Sequence, residues 1–291
     1  MPDSTSPEPV VWLALTRAVL AELLAPGRRD TLERVATGLD RGVDAVVLGA
    51  DVGTRHGDQQ HAPGIDPSIA AIALAHRTAR VGVVVAASPR RDHPYNVARR
   101  LASIDHASAG RAGLLVGVDD AAAAPGSPWT AAGADVAAAD AVTAVRELWR
   151  SFPVDTIVAD QDRGVFAESH RILAVDHTGP AYSVSGPLQV PWSPQVWPPV
   201  VAWRSTGEGS PLAAVVDLLL DDDPSDGIHR PGDVAELSAW LDAAPPVTGR
   251  TTTLRSRLGL APARPPTTGR PAFDRPAEGR RTSRKEAAGV R

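Results

Sequence analysis

The sequence of 291 residues lacks cysteine and has a single lysine, Lys285. Without cysteine the chain can form neither a disulfide framework nor a thiolate metal site. A strong charge of either sign is lacking as well, because 34 acidic residues stand against 30 basic ones. This near balance excludes a global attraction to nucleic acid or to an acidic membrane surface. We therefore predict no nucleic-acid partner.

Long apolar segments are also absent from the sequence. No apolar run approaches the roughly 20 residues that a membrane-spanning helix needs. The N-terminus is acidic and contains proline ahead of a short apolar run, Val10–Leu15, whereas a signal peptide has a basic start and a longer apolar core. These features predict a soluble cytoplasmic protein with no membrane partner.

The most regular pattern present is an alternation of short β-branched runs with longer amphipathic segments. Four such repeats of strand and helix favour a parallel sheet, either an open sheet or a closed barrel. The predicted strands are Val10–Leu15, Asp44–Gly49, Val81–Ala87 and Ala112–Val118. The predicted helices are Arg29–Leu39, Pro67–Thr78, Tyr95–His106 and Asp135–Trp149.

The alternation stops after the fourth helix. Residues 151–197 contain five prolines and no helical period, which is typical of a long insertion between two β/α units. Pro199–Trp203 is predicted as a fifth strand, Val215–Leu220 suits a helix or a strand, and Val234–Leu241 is predicted as a helix. Residues 262–291 are rich in Pro, Gly and Arg, so we predict a folded domain over 1–261 and a disordered tail.

The segment from Asp66 to Asp119 carries more specific motifs than the general alternation. In order and without gaps, they are Ser88, His93-Pro94-Tyr95-Asn96, Arg99-Arg100, Asp105-His106 and Gly110-Arg111-Ala112-Gly113. These motifs resemble the luciferase-like flavin-dependent monooxygenases, in the branch of the nitrilotriacetate, dibenzothiophene-sulfone and long-chain alkane monooxygenases. The resemblance implies a TIM-type (β/α) barrel with an insertion before strand five and a site at the carboxyl ends of the strands.

The chain is also shorter than this resemblance requires. About twenty residues separate the fifth strand from the segment Asp226–Pro231, which resembles the end of strand eight. Because one β/α unit needs about 30 residues, we predict an incomplete barrel in which the region of strands six and seven is missing. The chain is thus interpreted as a shortened member of the family.

The resemblance implies an activity and a set of site residues. The activity is oxidation of a small organic substrate by O2 with reduced FMN, which a separate flavin reductase supplies; a deazaflavin is the alternative cofactor. The matching residues assign His93 to catalysis and Tyr95, Ser88 and Asp51 to the cofactor. A neutral imidazole at His93 suits hydrogen bonding or proton transfer near neutral pH. The alternative for His93 is a helix entry, with Asp92 as the cap and Pro94 at the first helical position.

The loop after the fifth strand is the counterpart of the family's phosphate-binding loop. There the resemblance assigns Ser205, Thr206 and Gly207 to the flavin phosphate, which backbone N–H groups receive at a helix start. Glu208 in the same loop opposes an anion. The end of the fourth strand, Leu115–Val118, also departs from the family's pattern because it lacks neutral polar side chains.

These departures support a second hypothesis of a different class. The chain would then be a non-catalytic relative that serves as the partner subunit of a full-length monooxygenase, because an unclosed strand edge favours pairing with another chain. A hetero-oligomer is expected under this second hypothesis, and a homo-oligomer that binds flavin would contradict it. No metal site is predicted: His56 and His61 share an Asp- and Gln-rich loop at a spacing compatible with a metal, but two histidines in such a loop are usually just exposed.

Overall fold

A computed structural model describes residues 10–52, 64–118, 132–222, 227–248, 252–264 and 268–274. The strands are β1 (Trp12–Leu15), β2 (Ala45–Leu48), β3 (Gly82–Ala87), β4 (Ala112–Val116), β5 (Ile157–Asp160), β6 (Val165–Ala167), β7 (Val175–Thr178), β8 (Ser183–Gly186), β9 (Val200–Trp203) and β10 (Leu218–Leu220). The helices are α1 (Arg17–Leu23), α2 (Arg29–Gly42), α3 (Pro67–Ala75), α4 (Pro94–Ala107), α5 (Ala134–Arg150), α6 (Arg204–Gly207), α7 (Val234–Ala243) and α8 (Leu254–Arg257).

Six strands form one parallel sheet in the order β1-β2-β3-β4-β9-β10. The outer edge of β1 is paired as well, because His229 forms a parallel bridge with Leu13 and its carbonyl accepts from the Ala14 N–H at 2.9 Å. On the opposite side Arg230 donates to the Asp221 carbonyl, directly after β10, at 3.1 Å. The segment around His229 therefore contacts both outer strands of a curled sheet.

Five of the six strands of this sheet bury both of their faces, whereas β10 is partly exposed. The odd and even positions of β1 separate into two apolar clusters, with Leu13 and Leu15 on the outer face and Trp12 and Ala14 on the inner face. The outer face packs against α1 to α5 and α7. The inner cluster is a filled core with these members: Trp12, Ala14, Ala45, Val47, Val52, Val84, Ala86, Leu115, Val201, Trp203, Leu220, Ile228 and Leu254.

Leu254 of α8 closes the amino-terminal end of the curled sheet. Its side chain is fully buried against the inner faces of β3 and β4. Glycines provide the space, because a Cβ at Gly82 would lie 2.5 Å from Leu254 Cδ1 and a Cβ at Gly113 would lie 3.0 Å from Leu254 Cδ2. Leu254 is thus a packing residue of the inner core.

Arg111 fastens the start of β4 to the end of α3. Its guanidinium is buried and donates to the carbonyls of Ser108, Val81, Ala75 and Thr78 and to the Thr78 hydroxyl, at 2.8–3.1 Å. Burial lowers the pKa of this group, and its hydrogen-bond acceptors are neutral oxygens. All five N–H donors of the guanidinium have partners of suitable geometry.

Asp105, at the end of α4, joins β4 to the segment that follows the insertion. Its carboxylate accepts from the Ala112 N–H at 3.1 Å and from the Gln195 side chain at 2.6 Å. The Gln195 Oε1 in turn accepts from the Arg255 N–H at 2.7 Å. Burial raises the pKa of Asp105, against the opposing effect of its hydrogen bonds.

The insertion before β9 consists of two antiparallel hairpins, β5–β6 and β7–β8. The second hairpin packs on the outer cluster through Val175, Tyr182 and Val184. Pro271 pairs with Leu173 in an antiparallel bridge, so a stretch of the predicted tail has a partner in the fold. The domain boundary at Ala261 itself stays a prediction.

Most elements of the sheet and its covering helices lie where the sequence pattern predicts them. The five predicted strands and the four predicted helices of the first repeats are present, and the predicted α/β fold is confirmed as a curled parallel sheet of six strands. Helices α1 and α8 and the four strands of the insertion were not predicted, and Val215–Leu220, for which a helix or a strand was expected, contains a sixth parallel strand, β10. A strand therefore does follow the fifth one, in part of the region expected to be missing.

We predict that Arg111→Lys lowers the free energy of unfolding by about 2–5 kcal/mol, since an ammonium has three donors and leaves buried carbonyls without partners. Urea unfolding followed by tryptophan fluorescence measures the change. Arg99→Lys is the matched control, because Arg99 is exposed on α4 and a surface change costs within about 0.5 kcal/mol. Equal midpoints for the two variants would contradict the role given to Arg111.

Candidate functional site

A cleft of about 430 Å³ opens at the carboxyl ends of β1, β2 and β3. It is bordered by Arg17 after β1, by residues 64–67 ahead of α3, and by Ser88 after β3. Arg91 and Arg100 complete the wall on the α4 side. In a parallel sheet covered by helices, the carboxyl ends of the strands are where ligands bind.

Ser88 is a residue of this wall whose hydrogen bonding is incomplete. Its side chain is 3% exposed, and its hydroxyl has no hydrogen-bond partner among the residues that the structure describes. A buried hydroxyl without a partner costs about 1–3 kcal/mol. A polar ligand atom in the cleft would remove that cost, so the residues present suit a ligand with hydrogen-bonding groups, such as the polar edge of a flavin ring.

Asp51 lies beside the same cleft as the anchor of Arg17. Its carboxylate accepts from the Arg17 N–H at 2.7 Å and from the Arg17 Nε at 2.8 Å. Both side chains are nearly buried, at 12% and 11% exposure. The carboxylate is therefore engaged in fixing Arg17 at the mouth of β1, and the predicted contact of Asp51 with a flavin stays a prediction.

His93 and Tyr95 occupy the start of α4 and face the insertion. His93 is the cap of the helix, and its Nδ1 accepts from the Tyr95 N–H at 3.2 Å. The expectation that Asp92 is the cap was wrong, because Asp92 instead pairs with Arg100. The Tyr95 hydroxyl donates to the Pro187 carbonyl at 3.5 Å. Neither His93 nor Tyr95 borders the cleft at Ser88, and their predicted roles stay predictions.

Tyr182 of the insertion was not identified from the sequence, yet it contacts the loop after β3. Its hydroxyl donates to the Pro89 carbonyl at 2.7 Å, and its ring meets the His93 ring edge-on at 6.1 Å. Nothing in the linear pattern marks it, because its hydrogen-bond acceptor lies 93 residues away. The sequence signal available was its rarity, since the chain has two tyrosines.

Asp140 of α5 holds the hairpin that carries Tyr182. Its buried carboxylate accepts from the N–H groups of Ala181 and Tyr182, at 2.9 and 2.8 Å, and from His177 Nε2 at 2.9 Å. A Cβ at Gly179 would lie 1.8 Å from Asp140 Oδ1, so only glycine fits there. The hairpin is thus seated on α5 by a buried polar group.

The predicted phosphate loop forms α6, after β9. The Ser205 N–H donates to Asp222 at 3.2 Å, and the Ser205 hydroxyl also hydrogen-bonds Asp222. Thr206 donates to the Trp203 carbonyl at 3.0 Å, and Gly207 packs against Leu219. Carboxylates therefore lie beside the donors that a phosphate would use, and the predicted roles of Ser205, Thr206 and Gly207 stay predictions.

Among the described residues, no group of three or more His, Asp or Glu side chains is arranged to hold a metal ion. His56 and His61 lie outside the described residues. In the part of the chain that the structure covers, no helix has the length and apolarity to cross a membrane.

The sequence matches the luciferase-like monooxygenases over residues 9–216. A subunit of pristinamycin IIA synthase from Streptomyces pristinaespiralis is 33% identical, over 65% of this chain and 75% of that protein. Dibenzothiophene-sulfone monooxygenase from Rhodococcus erythropolis is 33% identical, over 49% of this chain and 32% of that protein. A crystal structure of riboflavin lyase with modified FMN and riboflavin gives a TM-score of 0.52 at 25% identity, over 66% of this chain and 49% of that one.

The fold and the cleft define the class of α/β proteins in which a curled parallel sheet presents its site at the carboxyl ends of the strands. Within that class, this chain belongs to the luciferase-like monooxygenase family. The resemblance drawn from the sequence is therefore confirmed. The chain spans 32% of the dibenzothiophene-sulfone monooxygenase and 49% of riboflavin lyase.

Tyr182 yields a spectroscopic prediction. Burial, with the nearby charge of Asp140, raises its pKa to about 12. The folded protein therefore retains the Tyr182 hydroxyl proton at a pH at which the unfolded chain, with a tyrosine pKa near 10, releases it. The contribution of Tyr182 to stability is accordingly lost as the pH rises from about 10 to 12. We expect tyrosinate absorbance after a rapid pH jump to show a late step that Tyr182→Phe removes and Tyr95→Phe retains. A late step that persists in Tyr182→Phe would refute the assignment.

Proposed function

We propose that this chain is a flavin-dependent oxidoreductase, a monooxygenase that uses reduced FMN and O2 on a small organic substrate. The observation that supports this most is the cleft beside β3, where the buried Ser88 hydroxyl has no partner among the described residues. Membership of the luciferase-like monooxygenase family adds chemical support. A separate flavin reductase would supply the reduced cofactor, and a deazaflavin is the alternative.

The proposed roles of Ser88 and Arg17 follow from their positions at the cleft. Ser88 would hydrogen-bond a polar atom of the flavin ring, and Arg17, held by Asp51, would place positive charge at the mouth of the cleft. His93 caps α4 outside the lining of the cleft, and its proposed role, to hold or accept a proton, rests on the family resemblance; Tyr95 would fix the insertion against α4 through its bond to Pro187. The bound reduced flavin would supply the electrons for the reaction with oxygen, while the protein orients it and excludes water.

A second candidate is a non-catalytic role in a hetero-oligomer. The relative of which this chain covers 75% is named as one subunit of a synthase, which favours a role within an assembly. The carboxylates beside Ser205 also favour it, because they weaken the predicted phosphate site. In this case the chain would be stable only in complex with a catalytic partner.

The test is a titration of the purified chain with FMN, followed by quenching of its seven tryptophans. We expect saturable micromolar binding that Ser88→Ala weakens about tenfold, the value of one hydrogen bond to the ligand. His93→Asn and Tyr95→Phe test the other proposed contacts, and asparagine preserves the helix cap. Ser103→Ala is the control, since this exposed hydroxyl bonds its own helix, at the Arg99 carbonyl.

Two outcomes would overturn the proposal. A folded protein that gives no quenching with FMN would not bind the cofactor by itself, and the non-catalytic function would then take its place. Equal weakening by Ser88→Ala and Ser103→Ala would exclude the cleft as the site. Sedimentation of the chain alone separates the two functions further. A flavin-binding enzyme would sediment as a stable monomer or homo-oligomer, whereas a non-catalytic subunit would form no such stable flavin-binding species without its partner.

A further inference from the structure

Two acidic side chains that follow β10 accept hydrogen bonds from donors in the loop after β9. The Asp222 carboxylate accepts from the Ser205 N–H at 3.2 Å and from the Ser205 hydroxyl. The Asp221 carboxylate pairs with the Arg204 guanidinium. A third acid, Glu208, lies 4.0 Å from the same guanidinium. The donors of this loop are therefore already close to carboxylates of the protein itself.

The donors concerned are those that recognise an anionic group of a ligand. A backbone N–H at a turn, a serine hydroxyl and an arginine fork are the usual partners of phosphate and carboxylate oxygens. A ligand phosphate at this loop would have to displace Asp222 from Ser205 and Asp221 from Arg204. It would also approach three carboxylates, whose repulsion acts over about 10 Å at moderate ionic strength.

Arg230 fixes the position of Asp221. Arg230 donates to the Asp221 carbonyl at 3.1 Å and to the Ile228 carbonyl at 2.9 Å. The same guanidinium lies 5.4 Å from the centre of the Trp203 ring, which belongs to the inner core. The acidic segment is thus attached to the packed interior and stays beside α6.

The carboxylates are not required to hold the fold together. The side chains of Arg204 and Asp221 are 43% and 49% exposed, and such surface pairs contribute between about 0 and 1 kcal/mol. Their replacement by isosteric amides therefore removes the charges and keeps the shape. The charges themselves can be tested without disturbing the core.

We propose that Asp221 and Asp222 are specificity-determining residues that compete with a ligand phosphate for Ser205 and Arg204. The inference deepens the proposed function, on which it rests, by stating which part of the cofactor the site recognises. The chain would then bind flavin through its ring and neutral ribityl chain, with little contribution from the phosphate. FMN and riboflavin, which differ by that phosphate alone, are the two probes.

The experiment compares the two flavins by tryptophan quenching in three forms of the full chain. For the wild-type chain we expect FMN and riboflavin affinities that agree within a factor of about 3. For Asp221→Asn/Asp222→Asn we expect FMN to bind about tenfold more tightly than riboflavin, because the charges that repel the phosphate are removed and a neutral amide oxygen is displaced from the donors more easily than a carboxylate. Asp176→Asn is the matched control, since Asp176 also pairs with an exposed arginine, Arg270, but lies on the insertion.

Each outcome decides the inference. A wild-type chain that already prefers FMN about tenfold, with the same preference in the double variant, would overturn it. A double variant that binds neither flavin, with a thermal midpoint equal to that of the wild type, would also overturn it. If the wild-type chain binds neither flavin and the double variant binds FMN, the inference holds and the proposed function of the native chain fails.

Discussion

The burial of both faces of the parallel sheet is the constraint on which the rest of this structure depends. On the outer face the helices cover the strands, and on the inner face Trp12, Trp203 and Leu254 fill the space that the curl encloses. Because an inner face filled in this way is a core and not a channel, polar chemistry is restricted to the strand ends. Ser88 and Asp51 lie at the carboxyl ends for this reason, and the amino-terminal end is closed by α8.

The residues that carried the family resemblance lie in two groups, one at each end of α4. This helix runs from the carboxyl end of β3 to the amino end of β4, so Ser88 and His93 lie at the ligand side. Asp105 and Arg111 lie at the opposite side, where they satisfy buried carbonyl and N–H groups. The linear motif runs through both sets without a break, and only the topology separates residues that suit a ligand from residues that stabilise the sheet.

The sequence could predict those features that depend on residues close together in the chain. The strands are apolar runs and the helices have apolar residues at helical spacing, so their positions follow from short segments, as does the Asp66 cap of α3. The pairings in the site join distant segments: Arg17 with Asp51 over 34 residues, and Ser205 with Asp222 over 17. No periodicity reports such pairs. The contacts of Asp221 and Asp222 with the predicted phosphate loop are therefore not apparent from the sequence.

The insertion, which interrupts the regular alternation, is connected to the cleft by hydrogen bonds. Asp140 on α5 seats the β7–β8 hairpin by accepting from Ala181, Tyr182 and His177. Tyr182 then donates to the carbonyl of Pro89, the residue that follows Ser88. Since a buried carboxylate without its donors is costly, the hairpin and the loop after β3 are fixed together. The position of the Ser88 hydroxyl at the cleft thus depends on a helix and a hairpin that do not border the cleft themselves.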